Sequence, residues 1–419
     1  MAIKTAVVLA AGEGKRLRPL TFTRPKSMIQ LAGKPILQHV LENLKQAGVT
    51  EAHIVVKYQE QMVRDYFSQN DVGIKLNFIT QGTKYGTAAA FGEAEPFVKD
   101  TFFGVAGDII TEASALKKLA FQHEAGKAEM SAALKKVEDP REYGIATVEA
   151  GLIKSLEEKP KVPKSDLANC SLYVFEPSVF TKIKSLKPSP RGEFEITDVL
   201  KASKVRAVEI SEYWLDMGMP WQLFNANEFL LSKLPEKKGR IENSTIKGKV
   251  IMEKGSAIYD SYIEGPLYLG ENTEVGPHAY VRGVTSIGKE CSIGDSTTVK
   301  NSIIFDHVNA KHLAYIGDSI IGENCNFGAG TQIANFRFDA GSIKAKVNDI
   351  VIDTKRNKLG AILGDNVKMG VLSSVMPGKM IGDGCWIGAN VMIEEDVERR
   401  MHVMLKQELI LRKRKEGEE

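Results

Sequence analysis

The chain has 419 residues, more than a single hydrophobic core normally organises, so two or three domains are expected. Charged residues make up 26% of it and the net charge is +3, a near balance that argues against a dedicated nucleic-acid-binding protein. No apolar run reaches the roughly 18 residues of a membrane span, and the N-terminus shows no signal-peptide pattern. Four scattered cysteines, without a Cys-x-x-Cys pair, favour a reduced cytoplasmic protein that has neither structural zinc nor disulfides.

The first half of the chain alternates strand-like and helix-like segments. Apolar runs predict strands at 6–9, 53–57, 74–79 and 102–106, and helical patterns cover about 35–47, 59–69, 87–97, 112–125 and 220–232. This alternation predicts an α/β domain with a mostly parallel sheet. Because ligands of such sheets bind at the carboxyl ends of strands, we expect the chemistry in the loops that follow them.

Residues 9–26 follow the first predicted strand and have the composition of a phosphate-binding loop. Gly12 and Gly14 allow the backbone to approach an anion closely, and Arg16 and Lys26 supply positive charge. An ordinary strand-to-helix turn with a solvated basic face is the alternative interpretation of this segment.

Two carboxylates occupy loop positions later in the same half. Asp108 follows the strand predicted at 102–106, and Asp216 lies in the segment Trp-Leu-Asp-Met-Gly. Two carboxylates together with substrate phosphates suit a Mg²⁺ ion. Glu158 and Lys159 add an acid and a base at another strand end.

Residues 233–240, with one proline, one glycine and four cations, predict a linker, and a six-residue period begins beyond it. Apolar anchors recur at steps of six in three runs: Leu269, Val275, Val281, Ile287, Ile293, Val299 and Phe305; Ile321, Phe327 and Ile333; Leu363, Met369, Val375, Ile381, Ile387 and Ile393. Glycine follows many of these anchors. A parallel β-helix built from hexapeptides has this period, with each anchor pointing inward and each glycine turning a corner.

The six-residue register is interrupted twice. The first break covers 306–315, and the second, 334–360, is a polar, lysine-rich insertion that we expect to project as an arm. Residues 394–415 are charged and predict a helix, whose end at 412–415 is expected to be a solvated basic run.

Some residues of the repeat carry polar or reactive side chains. Arg282 and Lys300 stand where glycine is usual, so they either bind a phosphate or lie on a solvated surface. Cys291, Cys325 and Cys385 each follow an anchor by four residues and are interpreted as small core residues, not as nucleophiles.

The first-half motifs resemble those of sugar-1-phosphate nucleotidylyltransferases over about residues 3–230. The likeness rests on Gly12-x-Gly14-x-Arg16 with Pro25-Lys26, followed in the same order by Gly107-Asp108, Glu158-Lys159-Pro160 and Trp214-Leu-Asp216-x-Gly218. It implies that Asp108 and Asp216 hold Mg²⁺, that Arg16 aids pyrophosphate departure and that Lys26 stabilises the α-phosphate.

The same resemblance assigns the substrate contacts. It implies that the nucleotide is bound by Gly12, Gly14, Gln81, Gly86 and Thr87. It implies that the sugar phosphate is positioned by Tyr143, Gly144, Glu158, Lys159 and Asn169. Ser171 stands where the family usually has glycine, so its side chain is expected to crowd the sugar.

The hexapeptide half resembles left-handed β-helix acyltransferases. The segment from Asn309 to Thr331, with Asn335, is similar to the acetyltransferase half of the bifunctional uridylyltransferase/acetyltransferases, and its ending Asn335-Phe-Arg-Phe-Asp339 is closest to the archaeal branch. The resemblance implies that His312 deprotonates the substrate amine, a task that suits a histidine near pH 7. A surface loop histidine is the alternative.

Further acetyltransferase residues are implied by the same likeness. The amino-sugar phosphate would be bound by Arg282, Lys300, Tyr315, Asn326 and Asn335. Ala329 would lie near acetyl-CoA, and Lys344, in the insertion, is a weaker candidate for phosphate binding.

Together the two resemblances imply a Rossmann-like α/β nucleotidyltransferase domain at 1–232, a linker at 233–240, a left-handed parallel β-helix at 241–398 and a C-terminal helix or tail at 399–419. They imply a cytoplasmic, Mg²⁺-dependent enzyme that couples N-acetylglucosamine 1-phosphate or glucose 1-phosphate to UTP or dTTP. With acetyl-CoA it would also acetylate an amino-sugar 1-phosphate of the glucosamine 1-phosphate type. A homotrimer or dimer of trimers is expected, without nucleic-acid or membrane partners.

Two other functions are compatible with this organisation. The first is a single-activity pyrophosphorylase whose β-helix only assembles or regulates it, and His312 with Tyr315 and Asn335 weighs against that alternative. The second is an inactive regulatory scaffold, which the intact cations and carboxylates of the first half weigh against.

Overall fold

The computed structural model describes residues 3–189 and 192–413. The chain divides into two compact units, and the division falls between Leu230 and Leu231. Each unit has its own hydrophobic core, an α/β core in the first and a core of stacked coils in the second. Within the described residues, every helix is too short or too polar to span a bilayer.

The strands of the first unit are Thr5–Ala10 (β1), Gln30–Leu31 (β2), Lys34–Pro35 (β3), Glu51–Val56 (β4), Lys75–Thr80 (β5), Phe102–Ala106 (β6), Ile109–Thr111 (β7), Met130–Lys136 (β8), Gly144–Glu149 (β9), Leu152–Glu158 (β10), Leu167–Phe175 (β11), Val205–Glu209 (β12) and Trp214–Asp216 (β13). The α-helices are Ile36–Gln46 (α1), Glu60–Gln69 (α2), Thr87–Gly92 (α3), Ala113–Gly126 (α4), Val179–Lys184 (α5), Ile196–Lys201 (α6) and Gln222–Lys233 (α7). Short 3₁₀ turns occupy Lys15–Leu17, Leu20–Phe22, Lys26–Met28 and Pro140–Glu142.

A mixed nine-stranded sheet forms the centre of the first unit. Its order is β5-β4-β1-β6-β11-β8-β12-β10-β9. The first four of these strands are parallel to one another, so the loops that follow them lie along one edge of the sheet. The predicted α/β architecture is therefore confirmed, although the helix predicted at 87–97 ends at Gly92 and continues only as single turns.

A second, two-stranded sheet in this unit determines where two acidic residues lie. Strand β13 pairs with β7 in antiparallel register, with Asp216 opposite Ile109. Asp108 directly precedes β7, so this short ladder brings two carboxylates together that are far apart in the sequence.

The second unit is built from very short strands: Arg240–Glu242 (β14), Thr245–Lys247 (β15), Val250–Met252 (β16), Ala257–Tyr259 (β17), Tyr262–Glu264 (β18), Leu267–Leu269 (β19), Glu274–Val275 (β20), Tyr280–Arg282 (β21), Thr285–Ile287 (β22), Ser292–Ile293 (β23), Thr298–Lys300 (β24), Ile303–Ile304 (β25), Asn309–Ala310 (β26), Tyr315–Gly317 (β27), Ile320–Ile321 (β28), Asn326–Phe327 (β29), Gln332–Ile333 (β30), Lys344–Val347 (β31), Ile350–Asp353 (β32), Ile362–Leu363 (β33), Lys368–Met369 (β34), Ser374–Val375 (β35), Met380–Ile381 (β36), Trp386–Ile387 (β37), Met392–Ile393 (β38) and His402–Val403 (β39).

Successive strands of this unit enter three sheets in turn. One sheet begins β14-β17-β20, the next β15-β18-β21 and the third β16-β19-β22, and all of their pairings are parallel. Each coil therefore stacks on the previous one, an arrangement consistent with a parallel β-helix. The predicted anchors are buried, and most of them line one continuous core.

The first interruption of the period is a change in coil length. Val281 pairs with Val299, 18 positions on, whereas Val299 pairs with Ile316, 17 positions on. Because the coil that follows Ile287 is also short, Ile304 takes the ladder position that was predicted for Phe305. That prediction is wrong in register, although Phe305 is still buried.

The insertion at 334–360 does not project freely. It forms an antiparallel hairpin of β31 and β32. Ile343, Ala345 and Val347 are buried, so one face of the hairpin packs against the coils. Gly378 shows where this happens, because a Cβ there would lie 2.5 Å from Ile343.

The predicted C-terminal helix is wrong for the described residues. Between 394 and 413 the chain forms a bridge at Val397, the short strand β39 and irregular backbone, and residues 404–413 are exposed. Arg414 and Lys415, which belong to the predicted basic helix end, lie outside the described residues. The predicted linker is also more ordered than expected, because Lys237 pairs with Ile251 of the first coils.

The cysteines are structural, as predicted for the three in the repeat. Cys291, Cys325 and Cys385 are buried and free, as is Cys170 in β11. Burial raises the pKa of Cys291 to about 12, so its thiol stays protonated at neutral pH.

Candidate active sites

The loop after β1 has the geometry of a backbone cradle. Gly14 has φ +71°, and a Cβ there would lie 2.7 Å from the Cβ of Lys26, so both the conformation and the space require glycine. The Thr21 hydroxyl donates to the Gly14 carbonyl at 2.8 Å and holds this turn closed. A Cβ at Gly12 would meet no atom within 4 Å, which leaves its backbone open to a ligand.

Lys26 joins this loop to the two predicted metal-binding carboxylates. Its Nζ lies 2.7 Å from Asp108 Oδ2 and 3.0 Å from Asp216 Oδ1. The lysine side chain is 11% exposed and those of Asp108 and Asp216 are 32% and 36% exposed, so the ammonium group is well shielded and the carboxylates remain open to solvent. The structure thus brings together three residues that the sequence analysis assigned to one site.

The electrostatics of this cluster keep Lys26 and Asp216 ionised. Burial by itself lowers the pKa of Lys26, but the carboxylates of Asp108 and Asp216 outweigh it, and the pKa is raised. Burial likewise raises the pKa of Asp216, but the charge and hydrogen bond of Lys26, with the charges of Arg16 and Lys159, hold it below its usual value. Asp216 is therefore surrounded by three cations, Arg16 and Lys159 as well as Lys26.

The predicted nucleotide-binding segment follows β5 on the same sheet edge. Gln81 is buried and its side-chain amide donates to the Lys84 carbonyl at 3.0 Å. The tight approach at Gly86, where a Cβ would lie 2.2 Å from the Phe194 carbonyl oxygen, was not foreseen from the sequence. The Thr87 hydroxyl accepts from the Ile196 N–H at 2.9 Å, so the segment around 194–196 shapes this loop.

The predicted sugar-phosphate residues converge from three strands. Glu158 ends β10 directly opposite Gly144 of β9, and a Cβ at Gly144 would lie 2.9 Å from Glu158 Oε2 and 3.9 Å from the Cβ of Asn169 in β11. The Lys159 N–H donates to the Tyr143 carbonyl at 3.0 Å. The ring of Tyr143 lies 5.5 Å from that of Trp214 in β13, and burial, followed by the charge of Asp216, raises the pKa of Tyr143.

Ser171 confirms that the backbone here is unusual. It has φ +54° within a bulge of β11, where the register against β8 shifts. The Asn169 amide donates to the Tyr173 hydroxyl at 2.7 Å and so is held in place beside the bulge.

A second cluster lies on one face of the second unit. Arg282, Lys300 and Gly317 are register partners in adjacent coils. Arg282 Nε is buried without a hydrogen-bond partner, and the guanidinium lies over the Tyr280 ring, 5.4 Å from its centroid. Gly317 makes room, because a Cβ there would lie 2.6 Å from the Tyr315 hydroxyl and 2.7 Å from the Asn335 amide.

Asp318 organises this face, and the sequence analysis gave it no role. It is buried, and its carboxylate accepts from Lys300 Nζ at 2.7 Å and from the Asn301 amide at 2.8 Å. The Asn335 amide donates both to Asp318 and, at 3.1 Å, to the Tyr315 hydroxyl. In the sequence, the signal for the role of Asp318 is its position directly after Tyr315-Ile316-Gly317.

His312 lies at the corner between the sheet that contains β26 and the sheet that contains β27. The Gly330 N–H donates to its carbonyl at 3.1 Å, and Ala329 precedes Gly330, so the predicted acetyl-CoA residue is one coil away. Asn326 lies in β29 with an exposed side chain, on a different sheet from Tyr315. Lys344 lies on the hairpin opposite Asp353, and no hydrogen bond or ion pair of the described residues joins it to this cluster.

The fold and the two clusters define a nucleotidyltransferase-type α/β domain on the same chain as a hexapeptide-repeat domain. The nucleotidyl transferase family model matches residues 5–233, and the model of the GMPPB C-terminal domain matches residues 263–375. A crystal structure described as a glucose-1-phosphate thymidylyltransferase from Bacillus anthracis, in complex with sucrose, is 32% identical with a TM-score of 0.51. It covers 57% of this chain and 98% of its own.

Full-length relatives are more informative. The bifunctional protein GlmU of Methanocaldococcus jannaschii is 42% identical over 98% of this chain and 100% of its own length. A bifunctional sugar-1-phosphate nucleotidylyltransferase/acetyltransferase of Sulfurisphaera tokodaii is 34% identical over 94% of this chain and 98% of its own length. The chain belongs to the family of bifunctional sugar-1-phosphate nucleotidylyltransferase/acetyltransferases.

The glycine loop makes the first testable prediction. Gly14→Ala should destabilise the protein by about 2 kcal/mol, because alanine is strained at positive φ and its Cβ meets Lys26. Gly12→Ala, which meets no atom within 4 Å, is the matched control and should stay within about 0.5 kcal/mol of the unsubstituted protein. Urea unfolding followed by far-UV circular dichroism measures both; equal midpoints for the two variants would contradict the assignment.

Proposed function

We propose that the first domain transfers a uridylyl or thymidylyl group from UTP or dTTP to a sugar 1-phosphate and releases pyrophosphate. The observation that carries this proposal is the position of Lys26 Nζ, within 3.0 Å of both Asp108 and Asp216 and next to the glycine loop. Cations, paired carboxylates and open backbone N–H groups at one sheet edge are what a nucleoside triphosphate and its metal need.

The reaction requires positioning and charge neutralisation rather than a protein nucleophile. An oxygen of the sugar phosphate attacks the α-phosphorus in line, and the bond from that phosphorus to the bridging oxygen of pyrophosphate breaks. Lys26 is charged and nearly buried, so it can neutralise charge on the α-phosphate at little reorganisation cost. Arg16 lies by Gly218, 3.3 Å from the place of a Cβ there, and is available to the leaving pyrophosphate.

Asp108 and Asp216 fit a Mg²⁺ ion. The described residues contain no group of three or more His, Cys, Asp or Glu side chains that could hold a metal by themselves. Mg²⁺ commonly takes only one or two carboxylates and completes its shell with phosphate and water, so this pair suffices. When bound, the ion would neutralise phosphate charge, while Lys26 keeps the two carboxylates together in the free protein.

The sugar phosphate is proposed to lie against Tyr143, Gly144, Glu158, Lys159 and Asn169. The support for this proposal is that three strands bring these residues together. In addition, the charge of Lys159 lowers the pKa of Asp216, and the charge of Asp216 raises the pKa of Tyr143. Gln81, Gly86 and Thr87 are proposed to bind the pyrimidine base, since they follow β5 at the same sheet edge. N-Acetylglucosamine 1-phosphate and glucose 1-phosphate are the candidate acceptors.

Substitutions of Lys26 and Lys15, two lysines of the loop segment 9–26, test whether a cation is needed at the proposed site itself or only somewhere in the loop. Lys26→Met should lower pyrophosphate release by about 100-fold or more, because it removes the cation at the reacting phosphate. Lys15→Met is the matched control, because that side chain is 64% exposed, and it should stay within about threefold. A pyrophosphate release assay with UTP or dTTP and each sugar 1-phosphate measures both; unchanged release in Lys26→Met or in Asp108→Ala would exclude the proposed site.

We propose that the second domain transfers the acetyl group of acetyl-CoA to the amine of an amino-sugar 1-phosphate, of the glucosamine 1-phosphate type. The phosphate would lie against Arg282 and Lys300, whose register places two cations in adjacent coils. Tyr315, Asn335 and Asn326 would contact the sugar. The unpartnered Nε of Arg282 supports an anionic ligand there.

His312 supplies the proton acceptor in this proposal. The substrate amine attacks the thioester carbonyl, its proton passes to the imidazole, and the bond from carbon to sulfur breaks to release CoA. Asp318 holds Lys300 and Asn335, so the phosphate-binding groups are preorganised before substrate arrives. Lys344 is not supported as a phosphate ligand by the contacts of the hairpin.

Substitution of His312 tests the second activity. His312→Ala should lower acetyl-CoA consumption with glucosamine 1-phosphate by about 100-fold or more, because it removes the imidazole that is proposed to take the amine proton. Nucleotidyl transfer by the first domain should be unchanged and serves as the control for folding and concentration. Acetyl-CoA consumption at the rate of the unsubstituted protein would show that the base lies elsewhere.

We further propose that the coils wind left-handedly and that the protein is a homotrimer or a dimer of trimers. Leu313, Leu372 and Trp386 are each more than half exposed. Two of them lie beside the corner that holds His312 and Ala329: Leu313 follows His312 directly, and the Leu372 N–H donates to the Ala329 carbonyl at 2.8 Å. An exposed apolar surface beside a site is typical of a subunit interface.

Light scattering tests the assembly. The unsubstituted protein should have three or six times the mass of one chain, and Leu372→Glu should lower that mass because it places a charge in the interface. Val162→Glu is the matched control, because Val162 is an exposed apolar residue of the first unit. A monomeric mass for the unsubstituted protein would rule out the proposed assembly.

A further inference from the structure

The side chain of His312 has a partner that is one coil away. Its Nδ1 lies 2.8 Å from Oδ2 of Asp295, at a sequence separation of 17. A separation of 17 matches the short coils of this region, so the pair is a direct consequence of coil stacking. The backbone supports it as well, because the Leu313 N–H donates to the Asp295 carbonyl at 2.8 Å.

The pair is poorly suited to a purely stabilising role. The His312 side chain is 56% exposed and that of Asp295 is 52% exposed. Ion pairs this exposed contribute little to folding stability, at most about 1 kcal/mol. Asp295 and the following Ser296 have positive φ, at 37° and 61°, as do other residues of these coils, Glu290 and His307 among them.

The contact with Asp295 determines which nitrogen of His312 carries the proton. A neutral imidazole that donates its Nδ1 proton to a carboxylate carries its lone pair on Nε2. Within the described residues no hydrogen bond is made to Nε2 of His312. The carboxylate therefore selects the tautomer in which the open nitrogen is the one that can accept a proton, and it orients the ring.

We propose that Asp295 is a positioning residue for acetyl transfer: it holds His312 in the Nδ1-protonated tautomer and stabilises the imidazolium that forms when Nε2 takes the amine proton. The proposal rests on the assignment of His312 as the base. In the step itself the proton moves from the substrate amine to Nε2, and the Nδ1 proton stays on His312.

A second pair in the same domain provides a matched control. His307 Nδ1 lies 3.3 Å from Glu290 Oε2, and these residues are also exposed and on adjacent coils. Neither belongs to the clusters described above. Glu290→Gln therefore removes the same kind of charge from the same kind of pair, away from the reaction.

The test compares Asp295→Asn, Glu290→Gln and His312→Asn in the full chain. Asparagine tolerates positive φ as well as aspartate does, so Asp295→Asn should leave the urea midpoint unchanged. We expect it to lower kcat for acetyl transfer to glucosamine 1-phosphate by about 10-fold or more, with KM within about twofold. Glu290→Gln should stay within about twofold in both, and nucleotidyl transfer should be unchanged in all three variants.

A spectroscopic readout separates positioning from a structural role. Long-range ¹H–¹⁵N correlation spectra should show His312 as the Nδ1-protonated tautomer, identified by the loss of its signals in His312→Asn. In Asp295→Asn the population of the other tautomer should rise. The same kcat in Asp295→Asn as in Glu290→Gln, or an Nε2-protonated His312 in the unsubstituted protein, would overturn the proposal.

Failure of the proposal and failure of the assigned function give different results. If His312→Asn keeps full acetyl transfer, the proposed acetyltransferase site is itself wrong. If His312→Asn loses the activity and Asp295→Asn does not, the site stands and only the role of Asp295 is rejected.

Discussion

The ammonium group of Lys26, held between Asp108 and Asp216, is the interaction on which the first site depends. The short pairing of β7 with β13 brings two partly exposed carboxylates together, where they would repel each other without a cation. Lys26 offsets that repulsion and remains charged because the two acids outweigh the effect of its burial. The free protein therefore already holds charges of both signs where a metal-bound triphosphate would need them.

A similar arrangement recurs in the second domain. Asp318 is buried beneath Lys300 and Asn335 and binds both, so the cation that is proposed to meet the substrate phosphate is positioned by a carboxylate. In each domain a carboxylate of the protein holds the lysine that is proposed to meet an anion of the substrate. Preorganisation of this kind reduces the cost of ordering long side chains when the ligand binds.

Much of the architecture was predictable because it is encoded locally. The alternation of apolar strands and amphipathic helices predicted the α/β domain, and the six-residue period predicted the stacked coils. The wrong predictions arose where the local sequence pattern favours one structure and tertiary packing imposes another. Phe305 continued the period in the sequence, but a 17-residue coil placed Ile304 on the ladder instead. The lysine-rich insertion and the charged C-terminal stretch were interpreted from composition alone, and neither adopts the predicted form.

The sequence by itself determined which candidate functional residues the chain contains: the glycine loop, the cations, the paired acids, and one histidine in the segment that resembles acetyltransferases. Only the tertiary structure decided which of them meet. Three close approaches depend on strand register between distant segments: Asp216 to Asp108, Asp318 to Lys300, and Asp295 to His312. Register is set by packing over the whole sheet or coil stack, so no local pattern specifies it.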